Sequence, residues 1–188
     1  FMLHDPDQVL KKNGEIIFET LNLIKENNLC SKIGFSIYNI EKFGEYLENY
    51  SIDLIQVPFN IFDRRLVCSE NFNILKNQGI EVHARSIFLQ GLLLIPRENI
   101  PENFKDSHNI LNEWHNWLQK NDINPVEACI KYVLQYEHID KIVLGIQNLH
   151  QLQNILSILR SKTIYDFPEW DSNIKDNLIN PSLWKKKI

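Results

Sequence analysis

Residues 52–66 read IDLIQVPFNIFDRRL. From Leu54 to Phe59 the run is mostly apolar, and the strict alternation of polar and apolar side chains is missing. A strand with one wet face alternates, whereas a strand covered on both faces does not. The stretch therefore predicts a strand in a parallel sheet with helices packed against it. Gln56 breaks the pattern. A buried amide without partners costs a few kcal/mol, so something must bond it. A neighbouring side chain or a buried water would serve, and so would a ligand.

The same kinds of element continue on both sides. FML (1–3), KIGFS (32–36), IEVHARS (80–86) and KIVLG (141–145) read as four more strands. Helical patterns lie between them. GEIIFETLNLIKENN (14–28) places Ile17, Leu21, Ile24 and Asn28 on one face. In NIEKFGEYLENY (39–50), Asn39 caps the helix and Phe43, Tyr46 and Leu47 form its buried stripe. LVCSENFNILKNQ (66–78) is helical and stops at Gly79. An irregular stretch from Leu89 to about Asp106 precedes HNILNEWHNWLQK (108–120). Asn124, Pro125 and Glu127 announce another helix through a cap, a proline at the first position and an early acid. LHQLQNILSILR (149–160) is read with Leu149, Leu152, Ile155, Leu156 and Leu159 on its buried side. The aromatic tail, residues 165–184, is expected to pack down as a short helix plus coil.

The order is β-α-β-α-β-α-β-α-α-β-α. Alternation of this kind implies an α/β fold with parallel strands and helical crossovers. Two architectures stay open: an open doubly wound sheet, or part of an eight-stranded barrel that five strands are too few to close.

Composition narrows the function. With 188 residues, 44% hydrophobic and 23% charged, the chain is globular and long enough for a substantial core. A net charge of −4, with both signs spread along the chain, gives no electrostatic footprint for nucleic acid. The one basic run, Lys185 to Lys187, reads as a solvated tail. Cys30, Cys68 and Cys129 form no Cys-x-x-Cys pair, and their odd number argues against a disulfide framework, so reduced thiols in a cytoplasmic protein are expected. The longest apolar run, GLLLIP (91–96), is too short to cross a bilayer, and no signal-peptide pattern opens the chain.

In parallel α/β folds ligands gather at the carboxyl ends of the strands. Here those ends carry His4, Ser36, Gln56, Arg85 with Ser86, and Gly145 ahead of Gln147 and Asn148. Each alone has a plain structural reading; five on one rim favour a ligand. Dinucleotide and phosphate-loop glycine motifs are absent, as is metal-ligand spacing. His108 and His115, seven residues apart, read as packing residues beside Trp114 and Trp117. Ser36 and Ser86 lack the glycines of a nucleophile elbow, which leaves a hydrolase little support.

The ordered set LHDP (3–6), GFSIY (34–38), QVPFN (56–60), ARSIFLQGLL (84–93) and IVLGIQNLHQL (142–152) resembles the aldo-keto reductases, in their bacterial branch. The resemblance runs through essentially the whole chain. It implies a (β/α)8 barrel, with residues 1–188 as one partial barrel domain comprising the fourth to the eighth strand. It implies NAD(P)H-dependent reduction of a small, sugar-like aldehyde or ketone. His4 matches the histidine that orients the substrate carbonyl. The tyrosine proton donor, its lysine and the supporting aspartate are expected ahead of Phe1.

The resemblance also implies cofactor contacts. Ser36 and Gln56 match the pair that holds the nicotinamide carboxamide, although Ile37 stands where the family usually has asparagine. Arg85 replaces the tyrosine that stacks on the nicotinamide, and its planar guanidinium can stack as well. Gly145, Gln147 and Gln151 fall on the segment that wraps the phosphates and adenine. Gln147 takes the place of a common basic residue, Asn154 sits near the acidic adenine contact, and Ile155 replaces an asparagine. NADP is expected over NAD.

Tyr38 is the tyrosine nearest a matched site, but no matched lysine accompanies it. The isolated chain is therefore expected to be inactive, and the unpaired edges of its outer strands predict self-association. A non-catalytic binding or regulatory protein on the same scaffold is the alternative, and a half-barrel without any ligand is a third reading.

Overall fold

The computed structural model describes residues 1–69, 71–170 and 174–184. Glu70, within the predicted third helix, and the basic run Lys185 to Lys187 lie outside the described residues. The strands are β1 (Met2–Leu3), β2 (Gly34–Ser36), β3 (Leu54–Pro58), β4 (Glu81–Arg85) and β5 (Lys141–Ile142). They form one sheet in chain order, and every neighbouring pair is parallel. The helices are α1 (Gly14–Glu26), α2 (Phe43–Asn49), α3 (Asn71–Asn77), α4 (His108–Asn121), α5 (Pro125–Leu134), α6 (Leu149–Arg160) and α7 (Asp176–Ile179).

Local chemistry sets several boundaries. Asn39 Oδ1 accepts from the Glu41 N–H at 2.9 Å, opening the 3-10 turn that leads into α2. Asn124 Oδ1 does the same for Val126 N–H, with Pro125 in the first position of α5. Gly79 ends the α3 turn at φ +66°, where a side chain would be strained.

The chain divides into two compact units. The first comprises Phe1–Pro58, Arg64–Arg85 and His138–Val143, and holds the whole sheet with α1, α2 and α3. Its core joins Phe35, Ile55, Val57 and Val82 of the sheet to Leu21, Phe43, Tyr46 and Leu75 of the helices. Acidic side chains clip the N-terminal ends of the strands. Asp53 accepts from the Ile33 N–H at 2.9 Å and from Lys25 Nζ at 2.6 Å, and Asp140 accepts from the Val82 N–H at 2.7 Å. Glu81 accepts from Lys32, from Lys141 at 2.5 Å, and pairs with His83 at 2.6 Å.

The second unit comprises Phe59–Asp63, Ser86–Glu137 and Leu144–Ile188. Trp114 is its centre: fully buried, it donates Nε1–H to Leu93 O at 3.1 Å and stacks on Trp117. The tail packs here as expected, with Phe167 stacked 4.7 Å from Trp117 and Trp170 buried.

Three details depart from the sequence reading. The third helix, read from Leu66, is described from Asn71, with residues 66–69 in turn and bend. The fifth strand stops at Ile142, not Gly145. β4, the strand it pairs with, leaves extended geometry at Ser86, whose φ is +56°, so nothing continues the ladder beside residues 144 and 145. In α6 the buried residues are Ile155 and Ile158, while Leu149, Leu152, Leu156 and Leu159 are 38–68% exposed. Apolar residues cover more than one stripe of this helix, so periodicity could not choose which one packs. Among the described residues no helix is long and apolar enough to cross a membrane, and all three cysteines are free thiols.

Candidate functional site

Side chains alternate across a strand. Because Phe35, Ile55 and Val57 face the helices, Ser36 and Gln56 fall on the other face of the sheet. The register sets Ser36 directly opposite Gln56, and Pro58 opposite Arg85. Gln56 is half-buried rather than fully enclosed. Ser36 is 3% exposed, and its Oγ has no hydrogen-bond partner among the described residues. A hydroxyl buried in this way pays its desolvation cost without return, and a bound polar group would relieve it.

Tyr38 follows two residues after Ser36, just beyond the end of β2. Tyr38 is half exposed, and its Oη lies 3.4 Å from His4 Nε2. The two rings meet edge to face, with centroids 5.6 Å apart and planes at 88°. The Arg85 guanidinium carbon lies 3.9 Å from the centre of the Tyr38 ring, and Arg85 Nη2 is 3.5 Å from Ile37 O. The ends of β1, β2 and β4 thus meet through His4, Tyr38 and Arg85. The sequence reading set Tyr38 aside for want of a lysine; its i+2 spacing from Ser36 was the available signal.

The loop after His4 is anchored from below. Asp7 Oδ1 accepts from Tyr46 Oη at 2.5 Å and from Lys42 Nζ at 3.0 Å. The Tyr46 and Lys42 hydrogen bonds hold the Asp7 carboxyl below the usual carboxylate range, and burial together with the Asp7 bond pushes the Tyr46 phenol upward. Tyr50 Oη donates to Val9 O at 2.7 Å. His4 therefore projects from a short segment whose downstream end is fixed to α2.

In the second unit Asn60 organises two segments. Its Nδ2 donates to Ser86 O at 3.1 Å, and its Oδ1 accepts from the Phe62 and Asp63 N–H groups. Gly145, Gln147 and Gln151 form a separate, exposed group in this unit. The Gln147 N–H donates to Gln151 Oε1 at 2.8 Å, and the Gln151 N–H donates to Asn148 Oδ1, the cap of α6. A Cβ on Gly145 would meet nothing within 4 Å. The structure thus gathers His4, Ser36, Gln56 and Arg85 at one rim of the first unit, and Gly145, Gln147 and Gln151 at the start of α6 in the second. Among the described residues no cluster of three or more His, Cys, Asp or Glu side chains could hold a metal ion.

Comparison with known proteins adds the following. The model of the Aldo/keto reductase family matches residues 1–175. Among solved structures, aldo-keto reductase AKR11C1 from Bacillus halodurans is similar in its holo and apo forms, each at 20% identity and TM-score 0.68 over 88% of this chain. An aldo/keto reductase from Klebsiella pneumoniae, in complex with NADP and acetate, is similar at 12% identity and TM-score 0.57, again over 88% of this chain. The chain spans about half the length of these structures, 53–56% of each. No curated protein sequence matches it. The shared fold is a partial (β/α)8 barrel of five successive parallel strands.

Proposed function

Since the chain belongs to the aldo/keto reductase family, we propose that it works in the NADP-dependent reduction of a small, sugar-like aldehyde or ketone. The observation that carries this reading is the buried, unpartnered Ser36 Oγ facing Gln56 across the β2–β3 register. A hydroxyl and a primary amide side by side match a carboxamide, which offers one donor group and one acceptor. A nicotinamide dinucleotide, when bound, supplies the hydride. Ser36 and Gln56 would hold its carboxamide, and Arg85 would lie beside the nicotinamide ring. Gly145, Gln147 and Gln151 hold the phosphate and adenine end. His4 orients the carbonyl oxygen of the substrate.

His4 is a single member of the catalytic set that the family resemblance implies, so the 188 residues alone are expected to bind cofactor weakly and turn over no carbonyl. General acid catalysis contributes about 10²–10⁴-fold, and losing it takes turnover below detection. The free thiols suit a reducing cytoplasm.

The test is fluorescence titration of NADPH into the 188-residue chain. Gln56→Ala should weaken binding by about 1–3 kcal/mol, the cost of removing a polar partner. Equal affinity in variant and parent would remove the site. NADPH oxidation with a panel of aldehydes completes the test; robust turnover would mean that the proton donor lies within these residues.

A further inference from the structure

We propose that Tyr38 is the positioning residue for His4, and that Arg85 is the clamp that holds Tyr38 in place. The proposal deepens the reading above, in which His4 orients the substrate carbonyl, and it rests on that reading for its functional meaning.

His4 is exposed at the end of β1, where an imidazole can turn about its side-chain bonds and exchange its proton between two nitrogens. The tautomer of a neutral histidine is set by the hydrogen bonds its ring makes. To present a proton to a carbonyl oxygen, His4 must keep it on the nitrogen that faces the site. Nε2 faces Tyr38 Oη at 3.4 Å. Either partner can donate in this contact. We assign the proton to Nε2, so that the phenol oxygen accepts it, favours the Nε2–H form without supplying a charge and stays displaceable by a substrate oxygen.

Tyr38 would turn as freely without a restraint of its own. Arg85 provides it, with its guanidinium carbon 3.9 Å over the ring face and Nη2 beside the carbonyl of Ile37, the residue before Tyr38. A cation on an aromatic face resists rotation of that ring out of the stack. The charged groups nearest the imidazole in the chain are committed elsewhere: Asp5 Oδ2 accepts from Gln8 Nε2 at 3.2 Å, and Asp7 is bonded to Tyr46 and Lys42. The order of dependence runs from β4 to β2 to β1.

Nitrogen-15 NMR of histidine-labelled 188-residue chain tests this. The chain has 6 histidines, and His4→Gln identifies the His4 signal. Tyr38→Phe should lower the ratio of Nε2–H to Nδ1–H tautomer at His4 by about two- to tenfold, the range expected for one lost hydrogen bond. Arg85→Lys keeps the charge but loses the flat stack, and should shift the ratio in the same direction. The other five histidines should be unmoved, which a general structural change would not allow. An unchanged or increased ratio in Tyr38→Phe overturns the proposal, and an unchanged ratio in Arg85→Lys overturns the clamp. NADPH titration of the parent separates the two readings. A shifted ratio without cofactor binding would sink the reductase reading and keep the Tyr38 contact; binding with an unmoved ratio would do the reverse.

Discussion

Arg85, the last residue of β4, and Tyr38, two residues beyond the end of β2, are joined face to cation at 3.9 Å across the end of β3. The contact spans β2 to β4, so it ties the rim together as well as fixing a ring. At a half-exposed site a cation–π contact contributes about 0.5–1 kcal/mol. A double-mutant cycle with Arg85→Ala and Tyr38→Leu, followed by urea denaturation, should give a coupling energy of that size. A coupling indistinguishable from zero would leave the stack without energetic weight.

Glu81 makes the opposite end of the sheet sensitive to acid. Bonds from Lys141, Lys32 and His83 hold its carboxyl far below the ordinary value of 4.5. The folded state therefore binds this proton less readily than the unfolded chain. The resulting stability is fully present above about pH 4.5 and is lost as pH falls toward the folded-state value. Urea midpoints should drop through this acid window in the parent and drop less steeply in Glu81→Gln. Lys32 is about half exposed and Lys141 more so, so about 0.5 M salt should shrink the difference between the two proteins at neutral pH. Parallel pH curves for parent and variant would contradict the assignment.

Gly34 has no room for a side chain. A Cβ there would sit 1.9 Å from the Leu54 carbonyl oxygen, its register partner on β3. Gly34→Ala must push β2 away from β3, at a cost of about 1–3 kcal/mol. The shift acts two residues upstream of Ser36, so NADPH affinity should fall as well as the thermal midpoint. An alanine variant with parental stability would mean that the strands separate without penalty.

The strands were legible because apolar runs, caps and the Gly79 stop all agreed locally, and Gln56 stood out in its run. The face carrying Ser36 and Gln56 emerged only with the structure, which turns Phe35, Ile55 and Val57 toward the helices. Other features depend on distant partners. The end of β5 is decided by the turn of the chain at Ser86, and the packed stripe of α6 by what the second unit offers it. The Tyr38 contacts with His4 and Arg85 join residues 34 and 47 positions apart, which no local pattern encodes.

β1 and β5 are the outer strands of the sheet, each with one unpaired edge among the described residues. We propose that the 188-residue chain self-associates through them, because an open edge is a template for another strand. Light scattering after gel filtration should show mass rising with concentration. Val143, exposed just beyond β5, is the place to interfere: Val143→Lys adds a charge at the edge and should lower the association. A monomer at all concentrations would exclude the edges as a contact.

Ser36→Ala should move stability and binding in opposite directions. In the free chain Ser36 Oγ is buried and unbonded, so it costs desolvation and contributes no hydrogen bond in return. Removing it should leave urea stability unchanged or raise it by up to about 1 kcal/mol, with no cavity larger than one oxygen. With a carboxamide bound, the same hydroxyl becomes a partner, and its loss should weaken NADPH by about 0.5–1.5 kcal/mol. Gln56, half-buried and able to reach solvent, should instead lose affinity without gaining stability when changed to alanine. A residue that merely packs would lose both quantities together. If Ser36→Ala destabilises the free chain and leaves NADPH affinity untouched, the hydroxyl is structural and the Ser36–Gln56 pair does not hold the nicotinamide.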